Sequence, residues 1–194
     1  MPMCSRCTGI YVGFLFSLVA ILVIERRIKG EFPSVKTALI TTGIILIMGL
    51  DVIVSTLKIF SSNNYIRFIT GFLVGWVLVP VMLPLKNVLM WKKLIKKPYL
   101  NSKKYFFIWL ACGIILIIAF ILSYRKVLIF WGINSILGMI ILITFVILIL
   151  FFAICRKLTN SINSWKYYLL SLTAGVAASA GFLGLFSVVR EFLI

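Results

Sequence analysis

Two cysteines stand three residues apart in the stretch CSRCTGIYVG, at positions 4 and 7, with Arg6 between them and Thr8 directly behind. Thiols at that spacing can close a disulfide, exchange electrons with another thiol pair, or supply two of the roughly four ligands a closed zinc site needs. All of these chemistries run through the thiolate, which Arg6 and a helix N-terminus would both favour. The chain contains no histidine, so the commonest general base and the commonest metal ligand are missing. No cofactor is predicted. A disulfide at Cys4 and Cys7, or a zinc shared between two chains, are the options the pair leaves open. Cys112 and Cys155 lie in and at the end of apolar runs, where a cysteine reads as a small packing residue.

A second group is drawn together by charge. Only four acidic residues occur, and Asp51 alone falls inside an apolar run. An ionisable group in hydrocarbon is costly unless partnered, which makes Asp51 a functional candidate. Arg6, Arg67 and Arg190 all fall at the same membrane level, with Asn63, Asn64, Tyr11 and the SSNN loop beside them. Three guanidiniums against one carboxylate leave spare positive charge and many donors, suited to a phosphate or carboxylate group. The plainer reading is that arginines at helix ends snorkel to lipid headgroups and Asp51 forms a structural bridge.

The elements that must position these groups are membrane helices. With 194 residues, 63% of them hydrophobic, and a mean hydropathy of +1.18, the chain carries more apolar surface than a soluble core could hide. We read an all-α, polytopic transmembrane helix bundle of a single domain, 1–194, with six spans near 8–24, 37–57, 68–85, 105–124, 127–155 and 167–189. The net charge of +16 sits mostly in the connections, as membrane anchors and topology signals; nucleic acid is not the expected partner. Fourteen Lys and Arg residues fall on the side of the first, third and fifth loops and six on the other. The positive-inside rule then puts both termini, Cys4 and Cys7 included, outside the plasma membrane.

Finer expectations follow. Gly9, Gly13 and Ser17, then Gly71 and Gly75, then Ser171, Gly175 and Ser179 make small-residue stripes at four-residue spacing, which let helices approach closely. TGIYVG at 8–13 and TGFLVG at 70–75 form a faint repeat whose helices both start outside. The sixth span, so poor in bulk, is expected at the centre of the bundle. Pro80 and Pro84 should kink or end the third span. Trp91, Leu94 and Ile95, alternating with lysines, predict a short helix on the inner leaflet.

At CSRCTGIYVG the chain resembles a family of small prokaryotic multi-pass membrane proteins that carry a C-x-R-C-T-G-I-Y-x-G motif. The likeness extends through Asp51 and SSNNYIRFITGFLVG, about the first 80 residues. That family's pattern includes a Cys-His pair and an Arg-Ser ahead of the motif, absent here. The resemblance implies either a short variant or a start upstream of Met1, and an upstream Cys-His pair would complete a four-ligand metal set. It implies no activity.

Three functions compete. One is an outer-face site for an anionic or lipid-linked small molecule, built on Asp51, Arg67, Arg190 and the SSNN loop. Another is thiol-redox or metal chemistry at Cys4 and Cys7. The last is a transporter or a non-catalytic subunit acting with a membrane partner or a second copy of itself. No nucleophile–base pair can be named, so enzymatic activity is left open.

Overall fold

The computed structural model describes residues 4–26, 28–32, 35–56, 63–92, 94–123, 127–155 and 165–193. In chain order the elements are α1 (Ser5–Ile24), β1 (Lys29–Glu31), α2 (Val35–Thr56), α3 (Asn64–Met90), β2 (Ile95–Pro98), α4 (Lys103–Ser123), α5 (Leu128–Ile154) and α6 (Trp165–Leu193). The architecture is an all-α polytopic bundle. Four helices, α1, α3, α4 and α5, are long and apolar enough to cross a membrane; the apolar stretches of α2 and α6 are shorter, 38–53 and 168–181, among the described residues.

Side-chain contacts fix the helix directions. Asp51 reaches Thr70 while Ile40 and Pro80 line one cavity, so α2 runs opposite to α3. Phe68 stacks on Phe120 and Trp76 on Trp109, so α4 opposes α3 as well. Thr144 meets Ser179 and Leu148 lies under Gly175, so α6 opposes α5. The helices alternate in direction along the chain. The Arg125–Lys126 hairpin lies outside the described residues.

At the centre, α1 and α3 pack parallel, and the faint repeat proves to be the interface. A Cβ on Gly9 would overlap the Phe68 carbonyl oxygen, and one on Gly71 would overlap that of Arg6. Likewise Gly13 sits against the Phe72 carbonyl and Gly75 against that of Ile10. Each contact has its mate 62 positions away, the offset between TGIYVG and TGFLVG, so the two segments grip each other through local twofold symmetry. In lipid, where burial itself supplies no drive between helices, this backbone approach provides the dispersion contacts that hold them together. On the other flank of α1, Gly138 of α5 fits against the Tyr11 carbonyl.

Pro80 and Pro84 neither end nor shorten α3, which continues five residues beyond the expected 85. Pro80 has no N–H, so it leaves the carbonyl of Trp76 without its helical donor. Ser17 of α1 supplies one: its Oγ lies 2.8 Å from that oxygen, while the indole N–H of Trp109 donates to Ser17 at 3.1 Å. Three helices are thereby linked through one buried hydroxyl.

Two expectations are corrected. Trp91, Leu94 and Ile95 do not form a helix on the inner leaflet; β2 pairs in parallel with β1, tying the segment after α3 to the segment after α1. Glu25, expected in a loop, is buried there: its Oε1 accepts the Leu100 N–H at 3.0 Å and its Oε2 pairs with Lys29 at 2.8 Å. That bond holds Leu100 at φ 59°, a left-handed conformation that leucine seldom takes. Asn87 completes the knot with bonds to the Lys29 carbonyl and the Tyr99 hydroxyl. The second correction concerns α6. It lies at the edge, packed on α5 through Gly175 and Ser179, with Leu169, Leu170 and Val176 exposed. Small side chains let it approach one neighbour closely, but they do not make it central. The other tie at its near end is Lys86. Counted in a loop from sequence, Lys86 lies inside α3, 2% exposed, its ammonium 2.8 Å from the Tyr168 hydroxyl and 4.3 Å above the Phe145 ring.

Candidate functional site

The polar end of the bundle is assembled where α1 and α3 begin and α2 ends. Cys4 is the N-cap of α1: its Sγ accepts the Cys7 N–H at 3.3 Å, and its carbonyl accepts from Thr8. The cap aims both thiols the same way and sets the sulfurs 2.8 Å apart as free thiols. Cys4 is exposed and Cys7 half-buried. Burial raises the Cys4 thiol. Hydrogen bonds from the Cys7 thiol and from the backbone of Cys7 and Arg6, with the Arg6 charge, outweigh this and hold it below the ordinary cysteine value.

Between the two thiols in sequence, Arg6 reaches across to α2. Its Nη2 lies 2.6 Å from Asp51 Oδ2, and the two side chains are 18% and 16% exposed, so the pair is shielded but open at one side. Thr70 of α3 approaches the same carboxylate oxygen at 3.4 Å, its hydroxyl also near the carbonyls of Ile66 and Arg67. Asp51 is therefore held from both of the parallel helices. The Nε of Arg6 is buried with no acceptor among the described residues, which leaves one guanidinium donor unspent.

Of the residues expected at this level, the structure brings together Cys4, Cys7, Arg6 and Asp51. Arg67 stands in the first turn of α3, half-buried, one turn from Thr70. Asn63 caps α3 by position alone, its side chain making no capping bond, and Asn64 is exposed beside it. Tyr11 is half-buried one turn beyond Cys7. Arg190 lies on α6, but its side chain falls outside the described residues, as do Ser61 and Ser62. Thr70 was missed by sequence reasoning. It occupies in TGFLVG the place of Thr8 in TGIYVG, and that correspondence was the available signal. Among the described residues no group of three Cys, His, Asp or Glu side chains comes together, so a zinc at Cys4 and Cys7 would need ligands from beyond them.

The region that builds this site is the region shared with known proteins. Residues 1–81 match the family model described as "Predicted membrane protein (DUF2085)". An uncharacterised protein of Methanothermobacter thermautotrophicus is 33% identical over 90 residues, 46% of this chain and 76% of that protein. The chain belongs to the DUF2085 family. A second relative, an uncharacterised protein of Methanocaldococcus jannaschii, is 32% identical over 93 residues, 48% of this chain but 58% of its own length. The chain thus spans less than two thirds of that relative. No solved structure matches. The DUF2085 match takes in α1, α2 and most of α3, and stops short of α4 to α6.

Proposed function

We propose that this membrane protein uses the end of the bundle where α1 and α3 begin to bind an anionic or lipid-linked small molecule on the outer face of the plasma membrane. The carrying observation is the Arg6–Asp51 pair, held at 2.6 Å between α1 and α2 while the Arg6 Nε is buried with no acceptor among the described residues. Asp51 fixes the guanidinium; the spare donor and Arg67 would meet the anion. Six crossings with both ends outside suit the alternating helices, the excess of Lys and Arg on the opposite side, and the β1–β2 pairing of two loops on one face. Native mass spectrometry of the purified protein with added phosphatidylglycerol tests it. Arg67→Ala, and Arg6→Lys, which keeps charge but loses the fork, should each weaken retention about tenfold, the worth of one charge-assisted hydrogen bond. Unchanged retention in both variants would sink this reading.

A second reading is favoured by the 2.8 Å contact between the thiols: dithiol–disulfide exchange with a disulfide-bearing partner. The Cys4 thiolate would attack one sulfur of the partner, whose other sulfur leaves as a thiolate. Cys7, deprotonated, would then attack Cys4 and release the second partner thiolate. Two electrons pass to the partner and Cys4–Cys7 closes as a disulfide. Equilibration with glutathione redox buffers would measure its potential. A pair that never closes under oxidised glutathione would eliminate the exchange.

A further inference from the structure

The anion site does not stand alone on its helices. Along α2, Asp51, Ile44 and Ile40 are spaced at seven and four residues, one helix face; along α3, Thr70, Val77 and Pro80 keep the same relation at seven and three. The first residue of each set belongs to the polar pair. The rest line an apolar cavity of about 120 Å³ between α2, α3 and α4. Its floor is made by Trp76, stacked on Trp109 with ring centroids 5.4 Å apart. Gly113 leaves the space beside that stack that a side chain would fill. Its lip, Ile40, Leu110 and Ile114, is 53%, 40% and 50% exposed, so the cavity opens sideways between α2 and α4. Asp51 stands about 16 Å from Ile40 at helical rise, close to one leaflet of a ~30 Å hydrocarbon core, and the cavity occupies the part of that path from Ile44 to Ile40.

A groove with guanidiniums and a threonine at its outer end, hydrocarbon below and a lateral opening is shaped for one class of occupant. We infer that α2, α3 and α4 hold a single chain of an acidic amphiphile, a membrane lipid with an anionic headgroup, whose head lies at Arg6 and Arg67 and whose tail lies over the Trp76–Trp109 stack. This rests on the reading of the outer end as an anion site. The cavity is near the ~150 Å³ that suffices for a benzene ring, so it grips a stretch of one chain, not a whole lipid. The headgroup supplies the selection, and the tail fixes the depth.

The test is photocrosslinking of the intact chain in phosphatidylcholine vesicles containing phosphatidylglycerol with a mid-chain diazirine. Labelled positions are mapped by mass spectrometry. Labelling concentrated on Thr41, Trp76 and Trp109, competed by unlabelled phosphatidylglycerol and not by phosphatidylcholine, is the expected result. Ile40→Phe with Ile114→Phe, changes at lipid-exposed positions that narrow the lip, should cut that labelling about tenfold, one decade of affinity. Floor labelling competed equally by phosphatidylcholine would keep the groove and overturn the acidic head, and with it the anion reading. Labelling confined to bilayer-facing Leu39, Leu46 and Ile115, with none on the floor, would overturn the groove and leave the anion site standing.

Discussion

At the scale of single residues, two atoms decide much. The Ser17 hydroxyl satisfies a carbonyl orphaned by Pro80 and is itself the acceptor for Trp109. Ser17→Ala should cost about 1–3 kcal/mol, the penalty for two buried polar groups losing a partner. In a Pro80→Ala background the Trp76 carbonyl regains its helical donor, so thermal unfolding should show a smaller loss; equal losses would mean Ser17 does not act on that carbonyl. The Cys4 sulfur is the other atom. Because its thiol lies below the ordinary value, alkylation by an impermeant maleimide should reach half its maximal rate at a lower pH than alkylation of an unstructured cysteine peptide does. The reactive thiolate grows as pH rises, so a lowered value moves the curve to lower pH. The sequence showed Cys4, Cys7 and the lone acid among apolar residues, since both patterns are visible in one dimension. It did not show which arginine Asp51 takes, because three were equally placed by level. It also hid Lys86 and Glu25, whose burial depends on helices far along the chain.

At the scale of elements, the glycines separate into two kinds that sequence alone treats alike. Gly9, Gly13, Gly71 and Gly75 meet backbone where a Cβ would stand, whereas Gly43 and Gly49 of α2 have nothing within 4 Å. Alanine at any of the first four should force α1 and α3 apart, costing about 1–3 kcal/mol as overpacking. Gly43→Ala should be neutral or stabilise, up to about 1 kcal/mol of helix propensity. Comparative unfolding in detergent checks both, and a uniform response would refute the distinction. The stripes were legible as packing surfaces. Their partners were not: α6 carries a stripe as long as that of α1 yet sits at the edge, because spacing records how near a neighbour can come and not how many neighbours there are. The prolines misled for a related reason. The carbonyl that Pro80 frees finds its donor in Ser17, which lies 63 positions before the proline.

For the whole molecule, hydropathy made the bundle legible, and charge made its orientation a definite expectation. Impermeant maleimide applied to intact cells should label Cys4 in a chain whose Cys112 and Cys155 are serine. Labelling only after the membrane is broken would reverse the orientation and move the site to the inner face. The match to the family model ends at residue 81, within α3, while the bundle continues through α4 to α6. The site therefore sits on the shared half, while the inferred groove borrows a wall from α4.

The reciprocal grip of α1 and α3 carries a consequence for how the chain is made. Two segments that mate as copies of one another must thread into the bilayer in the same sense, so one passage through α2 between them is compulsory. Were α2 left on one side during synthesis, α3 would arrive upside down and its notches would face the wrong carbonyls. The glycine seam can close only in a chain whose hairpin has crossed and returned.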